Sequence, residues 1–469
     1  MNTYVFILGR ETEIARAEIE AVLLLHGFEY SLINVTDNVL AIKCSSTAMD
    51  DGLNGQQTTD QKIGQLASVL GGTIKIYRIV AEYSGEPLMT LKKLLREKTL
   101  ESAGKFIFGL SSYTARFGKE RVNKLGLQLK KEIAKEHSVR FVALQEEKEL
   151  SSIQSLKNGL DSKGLEIGIF NNAIGELIGL SNPEEWSKRD YGKPAGDKYS
   201  GMVPPKLARM LINITLGLRA RIINDQLSIS NHFKNSQINQ LNENCKIAPR
   251  RGPFGKNCKF HDCVVVEPFC GSGNILMEAL MLGCDVVGSD VSAKAVEDTK
   301  TNLKWLKANS SSLIADQKKQ LAISNKPLAI FQADATSSQL IENWKLKIGN
   351  YNHVVVVTEP YLGKPKKFKS SYGAIRAEYK IVRELYIKFL KNLILGTRYL
   401  ELCTICVVFP LVETFDQGQF SLYRDSVDEI RDLGYTEVRP PLIYGRDYQV
   451  VKRQIVFLKH QSPRNNNQK

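Results

Sequence analysis

A glycine-rich turn between an apolar strand and a helix is the strongest chemical signal in this sequence. The run VVVEPFCGSGN, residues 264–274, ends a strand at Glu267 and passes through Gly271 and Gly273 before a helix predicted over 275–282. Glycines let backbone N–H groups approach a ligand, and the start of the helix adds the positive end of a dipole. The turn therefore indicates a ligand site at the carboxyl end of a strand.

Two further strands end in side chains that suit a nucleoside. The strand 285–290 ends in Asp290, where a carboxylate can accept hydrogen bonds from ribose hydroxyls. The next strand ends in Gln332-Ala333-Asp334, where a polar side chain could bond to the adenine amino group. The turn lacks the third glycine of G-x-G-x-x-G, since Met277 lies in the helix instead. This pattern favours S-adenosylmethionine, which has no phosphate, over a dinucleotide.

A fourth strand ends in VVVVTEPYLGKP, residues 354–365. Chemistry on the exocyclic amine of a base needs an acceptor for its N–H groups and an aromatic face for the flipped base. Tyr361 supplies the face, and Glu359 or a main-chain oxygen at Thr358 or Pro360 supplies the acceptor. Glu-Pro-Tyr alone is more typical of a turn with a core tyrosine. Its place after the three preceding signals favours the catalytic interpretation.

The elements that must position these residues follow a strand–helix–strand rhythm. Near-continuous apolar runs are typical of strands buried on both faces of a parallel sheet. Such runs are found at 264–266, 286–287, 328–331, 354–357 and 402–409, and 441–459 predicts two further strands at the sheet edge. The sequence thus predicts an α/β fold in its C-terminal half.

The rest of the chain predicts several other segments. The helix 121–136 is amphipathic with a basic outer face, which is also what an ordinary solvated helix shows. A helix is predicted over 205–218, and the polar stretch 224–260 looks like a long insertion. The predicted domains are an N-terminal segment 1–60, a second domain 61–181, a polar linker 182–203, a C-terminal domain 204–461 and a disordered tail 462–469.

Composition excludes some classes of protein. The 469 residues are 43% hydrophobic and 24% charged, with a net charge of +14 and a pI near 9.2. This excess favours phosphate-rich partners. No apolar stretch reaches the length of a membrane span, and the N-terminus lacks the pattern of a signal peptide. Together with eight scattered cysteines, these features predict a cytoplasmic protein.

The motifs together resemble a known family. EPFCGSG, Asp290, Asp334 and TEPYLG resemble the motifs of class I methyltransferases that modify exocyclic amines, in which the last motif is usually D-P-P-Y. The run RDYGKPAGDKYSGMVPPKLARMLIN, residues 189–213, resembles more narrowly the THUMP-domain tRNA guanine-N2 methyltransferases that act on guanosine 10. The opening YVFILGRETEIARAEIEAVL is similar to their first ferredoxin-like segment.

The resemblance implies a fold, a cofactor and a substrate. The fold is a class I methyltransferase (Rossmann-like) domain preceded by an α+β ferredoxin-like segment and a THUMP-like RNA-binding region. The cofactor is S-adenosylmethionine and the partner is tRNA. The implied cofactor residues are Glu267, Phe269, Gly271, Gly273, Asp290 and Asp334. The implied catalytic residues are Thr358, Glu359, Pro360 and Tyr361. Some relatives work with a small zinc-binding activator subunit, and the sequence leaves that need and the oligomeric state open.

The sequence departs from the family pattern at two places. Glu267 stands where Asp is usual, and Thr358-Glu359 replaces the first two residues of D-P-P-Y. Two other functions therefore stay open: an adenine-N6 methyltransferase acting on RNA or DNA, and a non-catalytic RNA-binding protein whose D-P-P-Y motif has decayed.

Charge and cysteine patterns add two further expectations. Residues 364–398 hold ten Lys or Arg against two Glu, which suits a tRNA backbone beside the base pocket as well as it suits a charged outer helix. Cys403 and Cys406 lie three apart in a strand and so point to opposite faces. The irregular set Cys245, Cys258, His261 and Cys263 has enough ligands for zinc, but no metal is predicted.

Overall fold

The computed structural model describes residues 2–36, 38–46, 58–102, 104–196, 202–234, 263–310, 323, 328–348, 353–395 and 403–460. The chain divides into two compact units. The first comprises Met1–Arg16 with Gly27–Trp186, and the second comprises Ala17–His26 with Ser187–Lys469. Each unit contains one large sheet.

The first unit is an α/β structure with a mixed sheet. Helix α1 (Thr12–Leu25) begins in it. Its other elements are β1 (Asn2–Leu8), β2 (Phe28–Val35), β3 (Val39–Ser46), α2 (Thr59–Gln65), β4 (Thr73–Glu82), α3 (Leu88–Leu100), β5 (Phe106–Ser112), α4 (Lys119–Ile133), β6 (Val139–Val142), α5 (Ser152–Lys157), β7 (Leu165–Ile169) and β8 (Ala173–Leu180).

One sheet runs through the whole of this unit. Its strand order is β2-β3-β1-β4-β8-β7-β5-β6. β1 pairs antiparallel with β4, with Tyr4 opposite Arg78, whereas β5 lies parallel to both β6 and β7. The boundary predicted near residue 60 falls between β3 and β4, which lie in this same sheet. The ferredoxin-like and THUMP-like assignments of the unit stay predictions.

The first unit contains a fully buried carboxylate. Glu166 on β7 is completely inaccessible to solvent. Its Oε1 accepts hydrogen bonds from Lys75 Nζ (2.6 Å), Tyr77 Oη (2.7 Å) and Ser111 Oγ (2.5 Å). Its Oε2 accepts from Ser155 Oγ at 2.5 Å. Both oxygens of this buried acid are therefore satisfied within the fold, as a stable buried charge requires.

The segment predicted as a polar linker begins with a helix, α6 (Pro183–Tyr191). Asn182 Oδ1 accepts the N–H of Glu184 at 3.0 Å, which caps the helix start. Trp186 is buried, and its indole N–H donates to Ser181 Oγ at 3.0 Å. Composition predicted a linker here because turn-forming residues surround the helix. The N-cap and the buried tryptophan are contacts that composition does not reveal.

The second unit has the predicted alternation of strands and helices. Its elements are α7 (Pro205–Lys234), β9 (Cys263–Glu267), α8 (Asn274–Met281), β10 (Asp285–Asp290), α9 (Ala293–Ala308), β11 (Leu328–Gln332), α10 (Ser338–Ile348), β12 (His353–Thr358), α11 (Tyr372–Glu378), α12 (Lys380–Leu395), β13 (Thr404–Glu413), β14 (Gln419–Ser421), α13 (Leu422–Asp432), β15 (Tyr435–Tyr444) and β16 (Val451–His460). Helix α7 extends sixteen residues beyond its predicted end and takes up the start of the stretch predicted as an insertion; residues 235–262 lie outside the described residues.

The sheet of the second unit is doubly wound. Its strand order is β11-β10-β9-β12-β13-β16-β15, and β14 pairs with β13. The first five strands are parallel, and β16 lies antiparallel to both of its neighbours. The order reverses direction between β9 and β12. In such sheets, ligands bind in the crevice outside the carboxyl ends of the strands at that switch point.

Alternate residues of the central strands pack in opposite directions. Val264 and Val266 of β9 and Val356 of β12 belong to a core with Trp344 and Phe389. The intervening valines are equally buried, and helices α7 and α8 contact these strands. Burial on both faces explains the uninterrupted apolar runs, and the predicted α/β fold of this half is confirmed.

Candidate active site

The glycine turn is held in a conformation that only glycine adopts without strain. Gly271 and Gly273 have φ angles of 52° and 82°, in the left-handed region. The N–H of Cys270 donates to Ser289 O at 2.9 Å, and that of Gly273 donates to Cys270 O at 2.7 Å. The turn ends at Gly273, which caps helix α8. The sequence prediction of a tight turn leading from β9 to a helix is confirmed.

Asp290 joins the end of β10 to this turn. Its Oδ2 accepts the N–H of Gly271 at 3.0 Å, and its Oδ1 accepts the N–H of Ser292 at 2.9 Å. On the other side of the turn, Thr299 Oγ1 donates to Gly271 O at 2.8 Å. The carboxylate and the turn are thus fixed relative to one another, and each Asp290 oxygen keeps a second lone pair that can accept a further bond.

Glu267 at the end of β9 is a buried acid with an unsatisfied oxygen. Its residue is 3% exposed, and Oε2 has no hydrogen-bond partner among the described residues. Burial raises the pKa of Glu267 well above its ordinary value, and the neighbouring carboxylates of Asp290 and Glu359 raise it further. An acid in this state has a strong physical tendency to pair with a cationic or hydrogen-bond-donating ligand.

Asp334 lies just beyond the end of β11, next to the same edge. The N–H of Ala333 donates to Asp290 O at 3.0 Å, which ties the two strand ends together. Asp334 Oδ1 accepts from the N–H and the hydroxyl of Thr336, both at 2.8 Å. The Asp334 side chain is exposed, and its Oδ2 accepts no bond from the described residues. Phe269, the remaining residue of the implied cofactor set, packs edge-on against Phe389 at 5.1 Å between ring centroids.

The turn after β12 contains an ion pair that the sequence did not predict. Glu359 Oε2 accepts from Arg453 Nε at 2.5 Å, and Oε1 accepts from Arg453 Nη2 at 3.0 Å. Burial raises the pKa of Glu359, and Arg453 opposes that shift. Arg453 lies on β16, two strands away in the sheet order. Both oxygens of Glu359 are therefore engaged by a bidentate partner.

The other residues of this turn differ in exposure. Thr358 and Pro360 are buried, and the Thr358 hydroxyl has no partner among the described residues. Tyr361 is 55% exposed. A hydrogen bond from Tyr379 Oη to Leu362 O, at 3.0 Å, fixes the start of the following loop. An exposed ring directly after a rigid turn is available to stack on a planar ligand.

Two asparagines fix the glycine turn to the segment before α7, and sequence reasoning missed both. Asn302 Nδ2 donates to Ser272 O (2.8 Å) and to Ala195 O (2.7 Å), while its Oδ1 accepts the N–H of Ala195 at 2.9 Å. Asn274 Nδ2 donates to Val203 O at 2.7 Å. Neither asparagine belongs to a short motif, so only the three-dimensional contacts reveal them.

Helix α8 is anchored by a buried cluster of opposite charges. Glu278 accepts from Arg189 Nε at 2.7 Å and from Arg209 Nη2 at 2.6 Å. All three side chains are nearly inaccessible. Arg189 and Arg209 both belong to the run 189–213 that resembles the guanine-N2 enzymes, and this pairing gives those two arginines a structural role behind the glycine turn.

The cysteines form no metal site within the described ranges. No group of three or more His, Cys, Asp or Glu residues there could hold a metal ion. Cys403 packs in the core that includes Ile405, whereas Cys406 does not belong to it. Cys270 is buried, and burial raises the pKa of its thiol. Of the zinc candidates only Cys263 is described, as a buried residue of β9; Cys245, Cys258 and His261 lie outside the described residues.

The basic segment after β12 is partly neutralised by ion pairs. Lys366 pairs with Glu378, and Lys369 pairs with Glu413. Arg376 and Arg383 both pair with Asp425 on α13, and Arg383 also pairs with Glu429. Lys364 and Lys367 are exposed and make no ion pair with the described residues. The unpaired positive charge therefore lies both in the loop directly after Tyr361 and on α12, where Lys380, Lys388 and Lys391 are exposed and make no ion pair with the described residues.

Comparisons with known proteins give a local sequence match. Over 66 residues, the chain is 36% identical to a tRNA (guanine(10)-N2)-dimethyltransferase from Methanothermobacter thermautotrophicus. That match covers 14% of this chain and 20% of the relative, so the chain matches about a fifth of that protein's length. No family model matches.

Solved structures give only weak likenesses. A possible methylase from Clostridium difficile 630 is 12% identical, with 99% of this chain and 100% of that chain covered and a TM-score of 0.41. The magnesium protoporphyrin IX methyltransferase of Synechocystis PCC 6803 with bound SAM is 14% identical over 60% of this chain and 90% of that chain, with a TM-score of 0.26. Both scores are too low to support an argument about function.

None of the helices in the described ranges is long and apolar enough to cross a membrane.

Proposed function

We propose that this chain is an S-adenosylmethionine-dependent methyltransferase that modifies guanine N2 in tRNA, with guanosine 10 as the expected target. The observation that carries the proposal is Glu267, a buried acid with one unsatisfied oxygen at the switch point of a doubly wound sheet. It lies beside a glycine turn whose conformation is fixed by Asp290. The local match to a tRNA guanine-N2 enzyme supports the substrate.

The residues at this edge fit the proposed cofactor. The unpaired oxygen of Glu267 suits the ammonium group of the methionine end, and a cation there would offset the burial of the carboxylate. Asp290 keeps lone pairs for ribose hydroxyls, and Asp334 has a free oxygen for the adenine amino group. The exposed Gly271 leaves room for close approach of the ligand. When bound, S-adenosylmethionine supplies a methyl group on a positively charged sulfur, already activated for transfer.

The residues of the turn after β12 position the target amine. Tyr361 offers its exposed ring to the base. Because Arg453 engages both oxygens of Glu359, we assign the acceptor of the amine N–H to a main-chain oxygen at Thr358 or Pro360. That oxygen aligns the amine and stabilises the charge that develops on its nitrogen. Glu359 then shapes the turn through Arg453 and does not contact the substrate.

The first unit contains the proposed tRNA-binding surface. Helix α4 exposes Lys124, Lys130 and Lys131, with Lys135 just beyond its end. These four make no ion pair with the described residues. A row of solvated lysines on one helix suits phosphates and carries no sequence information, so this unit would bind RNA through shape and charge.

Transfer of a tritiated methyl group to total tRNA, followed by identification of the labelled nucleoside, tests the proposal. We expect N2-methylguanosine or N2,N2-dimethylguanosine. Labelled N6-methyladenosine without either would reject the guanine assignment in favour of the adenine-N6 alternative, since the same turn suits both amines.

A non-catalytic RNA-binding role keeps one observation in its favour. The side chain at the second position of the D-P-P-Y-like turn is bound to Arg453 and is not a free acceptor. A protein of this kind would bind tRNA with ordinary affinity and show no heat on titration with S-adenosylmethionine. Heat of binding together with methyl transfer would exclude it.

Tyr361→Ala separates the base site from the cofactor site. We expect methyl transfer to fall about ten- to a hundredfold, because stacking on a base contributes about 1–3 kcal/mol. Cofactor affinity should stay unchanged, since the proposed cofactor residues are Glu267, Asp290 and Asp334. Tyr361→Phe keeps the ring and serves as the control. Equal losses of transfer and cofactor affinity would contradict the assignment of Tyr361 to the base site.

A further inference from the structure

Exposed aromatic side chains are concentrated at one edge of the second unit. In the described part of the chain, five aromatic residues are classed as exposed. Four of them follow strands of one sheet: Tyr361 (55% exposed), Phe368 (82%), Phe415 (70%) and Tyr448 (72%). The fifth, Tyr191, ends helix α6. We call the first four the aromatic edge.

The loops that carry the aromatic edge are bonded to one another. Ser370 and Thr414 form a parallel β-bridge, and the N–H of Phe415 donates to Ser370 O at 3.3 Å. The N–H of Tyr372 donates to Asp416 Oδ1 at 2.8 Å. Phe368 and Phe415 are therefore carried by backbone segments that lie side by side. The two exposed rings belong to one continuous surface.

The third loop joins the same surface. Residues 445–450 connect β15 to β16, and the N–H of Glu413 at the end of β13 donates to Val450 O at 2.8 Å. The Arg446 guanidinium lies 5.6 Å from the centroid of the Tyr448 ring and donates a hydrogen bond to the Tyr448 hydroxyl. This loop thus adds both a ring and a cation to the edge.

The spacing of the sheet gives the aromatic edge its length. Tyr361 follows β12, Phe415 follows β13, and Tyr448 follows β15, which lies two strands beyond β13. Neighbouring strands lie about 4.8 Å apart, so the edge extends over about 14 Å from β12 to β15. That length suits a few unstacked nucleotides laid side by side on successive rings.

From these observations we propose that the aromatic edge binds a single-stranded stretch of RNA next to the target nucleotide. Bases would stack on Phe368, Phe415 and Tyr448, and phosphates would lie near the unpaired Lys364 and Lys367. Exposed rings interleaved with unpaired cations are the combination by which proteins hold single strands without reading their sequence. The placement next to Tyr361 rests on the proposed function, whereas binding of a single strand does not.

Fluorescence anisotropy with a labelled single-stranded RNA of about ten nucleotides tests this proposal on the full chain, without cofactor. Phe368→Leu and Phe415→Leu keep apolar bulk and remove the aromatic face. We expect about a tenfold loss of affinity for each, with affinity restored by Phe368→Trp and Phe415→Trp. Tyr191→Leu, which removes an exposed ring elsewhere in the same unit, should bind as the unaltered protein does.

The salt dependence distinguishes stacking from charge. The two leucine variants should lower affinity without changing the slope of log K against log salt, whereas Lys367→Gln should reduce that slope by about 1. Unchanged single-strand affinity in the double leucine variant would overturn the proposal and leave the rings to a protein partner. Equal loss of affinity for a duplex RNA and a single strand would also overturn it.

The outcome of this binding assay is independent of whether the proposed function is correct. A chain that binds single strands through these rings but labels no tRNA would contradict the methyltransferase and support the aromatic edge. A chain that labels tRNA while the leucine variants bind and methylate normally would do the opposite.

Discussion

Two buried glutamates, one in each unit, have opposite surroundings. Glu166 receives four hydrogen bonds from Lys75, Tyr77, Ser111 and Ser155, and these satisfy both of its oxygens. Glu267 is nearly as buried, yet its Oε2 has no partner among the described residues. Since a buried polar atom without a partner costs stability, this contrast assigns Glu166 to holding the fold together and supports the proposed ligand role of Glu267.

Glu359 is an intermediate case. Like Glu166, it has a cationic partner, and like Glu267 it lies at the carboxyl edge of the sheet in the second unit. Its charge also raises the pKa of Glu267. The comparison therefore predicts three different responses when each carboxylate or its partner is changed.

The largest effect is expected in the first unit. Lys75→Met removes the cation that pairs with the buried carboxylate of Glu166, and we expect a loss of about 3–5 kcal/mol in the free energy of unfolding of that unit. Hydrogen exchange in peptides from β4 and β7 reports on this unit separately. The double variant Lys75→Met/Glu166→Gln should recover part of the loss. A loss below about 1 kcal/mol would show that Glu166 is not held in the way proposed.

Arg453→Met should have the next largest effect, because it leaves Glu359 without its partner. We expect a loss of about 2–4 kcal/mol in the stability of the second unit, together with slower methyl transfer. Arg453→Lys keeps the charge but not the bidentate geometry, so it should give a smaller loss of stability. Thermal unfolding and tritium transfer measure the two effects. Normal transfer by a folded Arg453→Met variant would contradict the positioning role of the pair.

Glu267→Gln should act in the opposite direction on stability. The pKa of Glu267 is raised on folding, so the folded state binds its proton more tightly and the unaltered protein loses stability as pH rises above the ordinary carboxyl value. Gln removes that loss, and we expect the second unit to gain about 1–2 kcal/mol near pH 7. The gain should vanish below about pH 4, where the acid is protonated in both states. Destabilisation at neutral pH would mean that Glu267 has a structural partner.

Local sequence patterns predicted the candidate site where neighbouring residues determine its geometry. The Gly271–Gly273 turn and Asp290 follow apolar strands directly, and parallel strands bring their carboxyl ends to one edge. The pair of Glu359 and Arg453 could not be predicted in this way. Its members lie 94 residues apart, and only the sheet order β12-β13-β16 brings them together.

Other features that the sequence did not predict also depend on contacts between distant residues or on single side chains. Helix α6 has a polar sequence and is ordered by the cap at Asn182 and the buried Trp186, which a composition reading treats as a linker. Asn302 lies on a helix with no motif around it, yet it bonds both the glycine turn and Ala195. Long-range polar contacts of this kind leave no periodicity in the sequence.

Calorimetric titration of the unaltered protein and of Glu267→Gln with S-adenosylhomocysteine tests the central claim most directly. We predict that the unaltered protein binds and releases protons on binding, because the ligand ammonium favours the ionised form of Glu267. Glu267→Gln should bind about ten- to a hundredfold more weakly and release no protons. Equal affinity in the two proteins, or no binding to the unaltered one, would contradict the assignment of this edge as a methyl-donor site.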